Sequence, residues 1–454
     1  MKDPNDRGRE RDEKMSKEKI EGNPFALLPF VVFVLLFLGT AAITKDFGSM
    51  PVVVAILIAG LFSLAMNRKE SFTKKVEIFC RGGGDHNIIL MALIFILAGA
   101  FAAVAEATGG VDSIVNLGTS ILPSNLLMVG LFVVSCFISI SMGTSTGTTV
   151  AIVPIAVGVA QQTGAETALA VGAVISGAMF GDNLSMISDT TIAAVRTQGT
   201  SMKDKFKSNF FIVLPAAILT ALILAFIPVG EASVNSDQSY QLITILPYLA
   251  VLVIALLGVN VLFVLVGGIV FSAIVGLANG SFDFFGLLGV MGEGIQGMEN
   301  LAIIAILISG MVEIIKHNGG IAFLLNFIVS KIKTRRGAAF GIAGLVSTVD
   351  VSTGNNTVSI LMAGPLAKDI STKYGIEPKR SASILDLFSC CFQGLIPYGG
   401  QMLAAAGLAS ISSVSIVPFA FYPILIGISG VVAILVLYRK TSDSDKFGIN
   451  QQVQ

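Results

Sequence analysis

Tryptophan is absent from this 454-residue sequence, histidine occurs only twice, and only 13% of the residues are charged. Soluble globular proteins carry roughly 25% charged residues. A charged fraction this low, together with a mean hydropathy of +0.84, excludes an ordinary soluble enzyme and a disordered protein. With 54% hydrophobic residues, the composition instead predicts a polytopic membrane protein.

The scarcity of cysteine and histidine argues against a transition-metal site. The four cysteines share no metal-binding spacing: Cys80, Cys136, Cys390 and Cys391. His86 and His317 do not belong to an H-E-x-x-H motif, so a zinc protease is not indicated. The net charge is zero, and no broad basic face for nucleic acid is expected. We therefore predict a protein without covalent chemistry, organic cofactor or nucleic-acid partner, and not an enzyme.

Apolar segments of about 20 residues, the length needed to cross a bilayer, recur along the chain. Two further apolar stretches, 126–161 and 337–367, are interrupted by small polar residues. The predicted spans are 24–43, 49–66, 88–106, 168–190, 209–229, 240–257, 261–277, 301–315, 381–400 and 416–438. The predicted fold is an all-α polytopic membrane protein with two inverted-topology repeats. Each repeat has about five spanning helices plus a re-entrant hairpin or a broken helix pair.

The distribution of cations predicts the orientation of the chain. All but Lys45 of the 29 Lys and Arg residues lie in clusters between spans or in the tails. Since cations are retained in the cytoplasm, both termini are expected there, and the two halves then cross in opposite directions. Segment 97–110 resembles 307–320 at an offset of 210, and 145–150 resembles 353–358 at 208. The predicted organisation is a cytoplasmic tail (1–23), a membrane repeat (24–229), an external linker (230–239), a second repeat (240–438) and a cytoplasmic tail (439–454).

Acidic residues are the only charged residues in or at the edges of the predicted spans. They are Glu106, Asp182, Asp189, Glu313, Asp350 and Asp386. An ionised side chain in the bilayer is energetically costly, so such residues usually line a cavity or a pathway. Because we find no compensating Lys or Arg in these spans, the predicted ligand is a cation.

The segment 181–191 carries the densest set of oxygen donors. In a continuous helix, Asp182, Ser185 and Asp189 would share one face, because residues at i, i+3 and i+7 align. If the helix opens here, its backbone carbonyls also become ligands. Coordination by oxygen alone suits a hard alkali cation and equally a proton on the carboxylate. We predict that Asp182, Ser185, Ser188, Asp189 and Thr190 bind an ion, with the two aspartates as the Na+ ligands; alternatively, Asp189 caps the following loop.

The two interrupted stretches are rich in hydroxyl and amide side chains. Non-helical backbone at membrane depth survives only where protein or water covers it, so these stretches predict helix breaks or hairpin tips near the midplane. The alternative is ordinary packing by small residues. We expect Asp350 to face Asn355 and Asn356 across such a tip, unless it is a structural carboxylate. The predicted pathway residues are Ser145, Thr146, Thr149, Asp350, Thr353, Asn355 and Asn356.

The segment 386–401 occupies the corresponding place in the second half, at an offset near 212. Pro397 and its neighbouring glycines predict another interrupted helix, here without a carboxylate pair. The site is therefore expected to be asymmetric. Its predicted contributions to the pathway are Asp386, Gln393, Tyr398 and Gln401.

At Gly181-Asp182-x-x-Ser185-x-x-Ser188-Asp189-Thr190-Thr191 the sequence resembles the NhaC-type sodium/proton antiporter family of bacterial inner membranes. The likeness covers most of the membrane region, with the early Ser/Thr/Gly break and the later segment 394–398 in the expected order. Met186 departs from the motif, which usually has proline there. The resemblance implies a multi-pass secondary transporter that exchanges Na+ for H+ by alternating access, with Asp182 and Asp189 as ion-binding carboxylates.

Two other functions stay open at this point. The first is a Na+- or H+-coupled carrier of a small carboxylate or amino acid, suggested by the polar surface near 353–356 and 393–401. The second is an intramembrane aspartyl protease, because Gly181-Asp182 lies in a span. The expected partners are membrane lipid, Na+ and H+, a small organic solute in the carrier alternative, and a second copy of the chain in a homodimer.

Overall fold

The computed structural model describes residues 22–44, 50–121, 123–186, 188–228, 241–257 and 259–438. Within these ranges the chain forms twenty α-helices and two short 3-10 helices, with no strand, which confirms the all-α prediction. The predicted linker 230–239 and the tail 439–454 lie outside the described residues, as does nearly all of the tail 1–23.

The helices follow one another through short connections. Those of the first half are α1 (Leu28–Thr44), α2 (Val52–Ala65), α3 (Phe72–Gly83), α4 (His86–Ala107), α5 (Gly110–Ile121), α6 (Ser124–Met142), α7 (Ser145–Thr163), α8 (Thr167–Leu184), α9 (Asp189–Gln198) and α10 (Met202–Phe226). Those of the second half are α11 (Leu242–Leu256), α12 (Val261–Asn279), α13 (Phe284–His317), α14 (Gly320–Ser330), α15 (Arg335–Thr353), α16 (Asn356–Lys373), α17 (Pro378–Gln393), α18 (Gly400–Ala409), α19 (Ser413–Ile416) and α20 (Phe421–Leu437).

Several helices have the length and apolar character of membrane spans. In the described ranges, four helices qualify: Ile88–Ala107, Met202–Phe226, Val261–Asn279 and Phe284–His317. The stretch Thr167–Gln198 also qualifies by length and composition, although it comprises two helices, α8 and α9. The pair Gly400–Ala409 and Ser413–Phe419 qualifies as a sixth stretch bent by 104°. The chain is thus a multi-pass membrane protein, because such helices satisfy their own backbone hydrogen bonds in lipid.

Helix boundaries recur at a fixed interval in the two halves. The helices α6, α7, α8 and α9 begin 211 residues before α15, α16, α17 and α18, respectively. The breaks also match: Gly143 and Gly354 end α6 and α15 with φ angles of 66° and 62°. Glycine adopts this left-handed conformation without a steric penalty. The chain therefore contains a structural repeat, while the opposite orientation of its two copies stays a prediction.

The repeat corrects one register proposed from the sequence. The offset of 208 between 145–150 and 353–358 is wrong, because Ser145 and Asn356 begin equivalent helices 211 residues apart. Two hydroxyl-rich segments resemble each other about equally well in several alignment registers, so sequence similarity alone did not identify the correct offset. The residue before each helix fixes the register: Thr144 accepts a hydrogen bond from the Gly147 amide, and Asn355 accepts one from the Val358 amide.

Several predicted spans differ from the helices that form. The span 381–400 is not one helix, because α17 ends at Gln393 and α18 begins at Gly400. The span 168–190 is not one helix, because α8 ends at Leu184 and α9 begins at Asp189. The span 301–315 is the end of a longer helix, α13, that begins at Phe284. Glu293 and Glu299 lower the apolar character of its first half without interrupting the helix.

Candidate functional site

Four helix breaks face a single cavity of about 110 Å³. They are the breaks between α6 and α7, α8 and α9, α15 and α16, and α17 and α18, so each repeat contributes two. Leu90, Met91 and Ile94 of α4 supply apolar lining. A broken helix exposes polar backbone and capping side chains, which explains why polar groups from distant segments collect at this one place.

Asp182 lies in the last turn of α8 and is 2% exposed. Ser145 Oγ, at the start of α7, donates to Asp182 Oδ2 at 2.9 Å. Ser188 Oγ and, at 3.4 Å, Thr190 Oγ1 donate to Oδ1. Asn356 Nδ2, at the start of α16, donates to Oδ2 at 3.4 Å. The carboxylate is therefore surrounded by hydroxyl and amide groups from both repeats.

Close packing of α8 on α6 determines where this carboxylate lies. A Cβ atom on Gly181 would overlap Ser139 of α6, so only glycine permits this approach. Ser139 Oγ donates to the Ala178 carbonyl of α8 at 2.6 Å. The end of α8, and with it Asp182, is thereby held against the break that precedes α7.

A chain of hydrogen bonds extends from Asp182 into the second repeat. Gln401 Nε2 donates to Ser145 Oγ at 2.8 Å. Gln393 Nε2 donates to Gln401 Oε1 at 2.7 Å and to the Gly354 carbonyl at 3.1 Å. All three side chains are buried. The predicted residues Ser145, Gln393 and Gln401 thus meet at one site, although 256 residues separate the first from the last.

The interval of 211 residues relates the two sides of the site. It pairs Asp182 with Gln393, and Ser145 with Asn356. It also pairs Thr190 with Gln401. Equivalent positions of the two repeats therefore line the same cavity, and in these three pairs the ionisable side chain is that of Asp182.

The expected row of Asp182, Ser185 and Asp189 on one helical face is wrong. The backbone leaves the helix between Leu184 and Asp189, so the three residues belong to different segments. Ser185 Oγ donates to the Ile140 carbonyl of α6 at 2.8 Å. Asp189 is exposed and lines the cavity from the first residue of α9. Asp182 is the carboxylate that the surrounding side chains hold in place.

The other predicted pathway residues occupy different positions around the breaks. Thr146 and Asn355 line the cavity. Thr149 Oγ1 donates to the Ser145 carbonyl one turn along α7. Thr353 Oγ1 donates to the Asn355 carbonyl at 3.3 Å, and Tyr398 donates to the Val351 carbonyl.

Asp350 is fully buried one turn before the end of α15. Neither of its carboxyl oxygens has a hydrogen-bond partner among the described residues. Asn356 donates instead to Asp182, and Asn355 caps α16. The structure therefore does not show the expected pairing of Asp350 with these two asparagines.

Asp386 forms an ion pair, contrary to the expectation that no cation enters the spans. Lys205 Nζ lies 2.7 Å from Asp386 Oδ2, with both side chains buried. Asn209 Nδ2 donates to the same oxygen at 2.9 Å. From the sequence, Lys205 belongs to a cation cluster expected in the cytoplasm, and Asn209 was not predicted as a site residue. Their i, i+4 spacing on α10 is the signal that could have placed them on one inward face.

No such neutralisation occurs at Asp182. Within the part of the chain that the structure describes, no ion pair includes this residue; the buried pair of the bundle joins Lys205 to Asp386. The groups that approach Asp182 are neutral hydroxyls and amides. Its negative charge is thus available to a cation or a proton.

Comparisons with known proteins place these features in a family context. The model of the Na+/H+ antiporter family matches residues 54–229 and 239–440. The Na+/H+ antiporter NhaC of Alkalihalophilus pseudofirmus is 25% identical over 433 residues, covering 88% of this chain and 92% of that protein. NhaC of Bacillus subtilis is 28% identical over 395 residues, covering 79% and 84%. The malate-2H+/Na+-lactate antiporter of B. subtilis is 24% identical over 213 residues, covering 46% and 45%.

Proposed function

We propose, from the premise that this chain belongs to the Na+/H+ antiporter family, that it exchanges Na+ for H+ across the bacterial inner membrane. Family membership makes the chain a transporter and not an enzyme, which removes the aspartyl protease alternative. In this proposal both termini are cytoplasmic, membrane lipid surrounds the helices, and no organic cofactor takes part.

The observation that carries the proposal is the unpaired, buried carboxylate of Asp182 among oxygen donors. A hard monovalent cation prefers carboxylate, hydroxyl and amide oxygens, and these are the groups present. The hydroxyls of Ser145, Ser188 and Thr190 donate to the carboxylate in its free form. Each hydroxyl oxygen also has lone pairs with which it can bind a cation.

Exchange follows from competition for one charge. Na+ neutralises Asp182 when it binds, and so does a proton, so the buried site accommodates either ion but not both. A carboxylate without a counter-ion is costly to move through lipid. The loaded forms are therefore the ones that cross, which couples the two ions.

Alternating access is the mechanism that this arrangement favours. The site lies between two structurally repeated units that each contain broken helices. Transporters built from inverted repeats move one unit against the other around a fixed midplane site. We propose that the α6–α9 and α15–α18 units move in this way. Both units contribute residues to the site.

The test uses purified protein in sealed vesicles with an imposed pH gradient. Addition of Na+ should collapse the gradient, and Asp182→Asn should abolish the response. Asp204→Asn, which alters an exposed carboxylate on α10, is the matched control and should respond like the wild type. A normal Na+ response from correctly folded Asp182→Asn protein would overturn the proposal. Parallel additions of Li+ and K+ establish the cation preference.

The second candidate is ion-coupled transport of a small carboxylate or amino acid. The relative named as a malate-2H+/Na+-lactate antiporter motivates it. The volume of the cavity favours ions: 110 Å³ is well below the about 300–1,000 Å³ of typical small-molecule pockets. A vesicle response that required malate, lactate or an amino acid in addition to Na+ would favour this candidate.

A further inference from the structure

Gln393 contains a buried oxygen atom that none of the described residues satisfies. The side chain is 2% exposed and lines the same cavity as Asp182. Its Oε1 atom accepts no hydrogen bond within the described part of the chain. Buried polar atoms normally have a partner, so this orphaned acceptor requires an explanation.

The orientation of the Gln393 amide follows from its partners. Nε2 faces the Gly354 carbonyl at 3.1 Å, and a backbone carbonyl can only accept a hydrogen bond. A flipped amide would place Oε1 against that carbonyl oxygen, which is repulsive. Nε2 also donates to Gln401 Oε1 at 2.7 Å. Both hydrogens of Nε2 are thus used, and Oε1 is left as a free acceptor on a residue that lines the cavity.

The repeat gives this oxygen a counterpart. Gln393 stands 211 residues after Asp182, so the amide of the second repeat occupies the position that the carboxylate has in the first. The two are joined through Gln401 and Ser145, whose hydrogen bonds connect Gln393 Nε2 to Asp182 Oδ2. One side of the cavity therefore offers a charged oxygen and the other a neutral oxygen.

We infer that Gln393 Oε1 is a direct ligand of the transported cation, and that an amide at this position makes the site selective for a monovalent ion. A cation between the two repeats would satisfy the orphaned oxygen. Of the two carboxylates that line the cavity, Asp182 is buried and Asp189 is exposed. One buried carboxylate neutralises one monovalent ion, whereas divalent ions are bound more tightly as buried carboxylates are added. The inference rests on the proposed function, because it assumes that Asp182 binds a cation.

The experiment measures cation binding to the purified full-length protein by calorimetry, with NaCl and CaCl₂ as separate titrants. Gln393→Leu removes the oxygen ligand and should weaken Na+ binding by about tenfold or more, the scale of loss at disrupted metal sites. Gln393→Glu keeps an oxygen and adds a charge. It should retain Na+ binding and raise the affinity for Ca2+ relative to Na+ by at least about tenfold.

Gln198→Leu is the matched control. Gln198 is equally buried, but it contacts Gly364 and Ser381 outside the cavity, so its loss should leave cation affinity unchanged. If Gln393→Leu does not fold, the change of preference in Gln393→Glu still decides the matter. Wild-type Na+ affinity in Gln393→Leu, or an unchanged Ca2+ preference in Gln393→Glu, would overturn the inference.

Failure of the proposed function gives a different pattern. Wild-type protein that binds Li+ or K+ but not Na+, with binding weakened in Gln393→Leu, would refute Na+ exchange and support Gln393 as a cation ligand. Normal Na+ exchange in vesicles, together with wild-type cation affinity in Gln393→Leu, would support exchange and refute Gln393 as a cation ligand. Wild-type protein that binds none of these cations would refute both.

Discussion

Lys205 Nζ and Asp386 Oδ2 lie 2.7 Å apart inside the helical bundle, with at most 1% of either side chain exposed. Lys205 Nζ also donates to the Asn183 carbonyl at 2.8 Å and to Thr191 Oγ1 at 2.7 Å. Asn183 follows Asp182, and Thr191 belongs to α9. The ammonium group therefore joins the two sides of the helix break next to the ion site, and its charge complements the C-terminal end of α8.

Removal of one partner from this pair should be strongly destabilising. Lys205→Met leaves Asp386 as a buried unpaired charge, which costs about 3–5 kcal/mol. The double variant Lys205→Met/Asp386→Asn leaves no unpaired charge and keeps an acceptor for Asn209, so it should recover part of the loss. The free energy of unfolding of each variant in mixed micelles gives both the loss and the recovery. Lys207→Met, which alters an exposed lysine on the same helix, is the control. A double variant as unstable as the single one would contradict the prediction.

The contact between α4 and α13 depends on two glycines. A Cβ on Gly99 would overlap the Gly294 carbonyl oxygen, and a Cβ on Gly294 would overlap that of Gly99. Gly99→Ala should therefore lower stability by about 1–3 kcal/mol, the usual cost of overpacking. Gly289→Ala on α13 meets nothing within 4 Å and should not destabilise the protein. Thermal unfolding of the two variants side by side tests this, and equal melting temperatures would refute the close approach.

The Ser188 hydroxyl should matter for ion affinity. It donates to Asp182 Oδ1 in the free site and lies 2.8 Å from Thr190 Oγ1. In the proposed bound site its oxygen is a cation ligand, so Ser188→Ala removes one ligand and should raise the Na+ concentration for half-maximal exchange by about tenfold or more. The control is Ser63→Ala, in which an equally buried serine on α2, outside the cavity, loses a bond to the Gly60 backbone. Equal effects of the two substitutions would count against a role of Ser188 at the ion site.

Glu377 provides a prediction about pH. The Lys379 ammonium and the Arg380 guanidinium, each 3.2 Å away, hold the pKa of this exposed carboxyl below its ordinary value. A lowered pKa stabilises the fold above the pKa of the unfolded chain, and this contribution disappears as the pH falls through the folded pKa. Because Glu377 is half exposed, Glu377→Gln should cost no more than about 1 kcal/mol at neutral pH.

The measurement for Glu377 compares the melting temperatures of the wild type and Glu377→Gln as the pH is lowered. Their difference should shrink on acidification and in high salt, since exposed ion pairs are screened. A difference that grows as the pH falls would contradict the sign of this prediction.

Much of the helix pattern could be predicted from the sequence. The breaks at 143–144, 354–355 and around Pro397 were expected, because glycine, proline and polar caps act on the backbone locally. The break between Leu184 and Asp189 was harder to place. Met186 lies in this break, which contains neither glycine nor proline. The sequence pattern therefore predicts an uninterrupted helix through the segment.

The membership of the site was predicted only in part. Asp182, Ser145, Gln393 and Gln401 were named from their chemistry, and they do meet at one cavity. Lys205 was grouped with the neighbouring Lys203 and Lys207 as a cytoplasmic cation, and its i, i+4 spacing with Asn209 was the one local sign of an inward face. The pairing of Lys205 with Asp386 joins positions 181 residues apart.

The sequence by itself determined that this chain is helical, crosses a membrane and interrupts its helices at polar segments, because hydropathy and backbone preference act over a few residues. Only the tertiary structure decided which carboxylate is paired and which is free. Asp386 is matched by Lys205, and Asp182 faces neutral oxygens across from Gln393. Electrostatic pairing depends on distances of a few ångströms between segments far apart in the chain, and packing alone sets those distances.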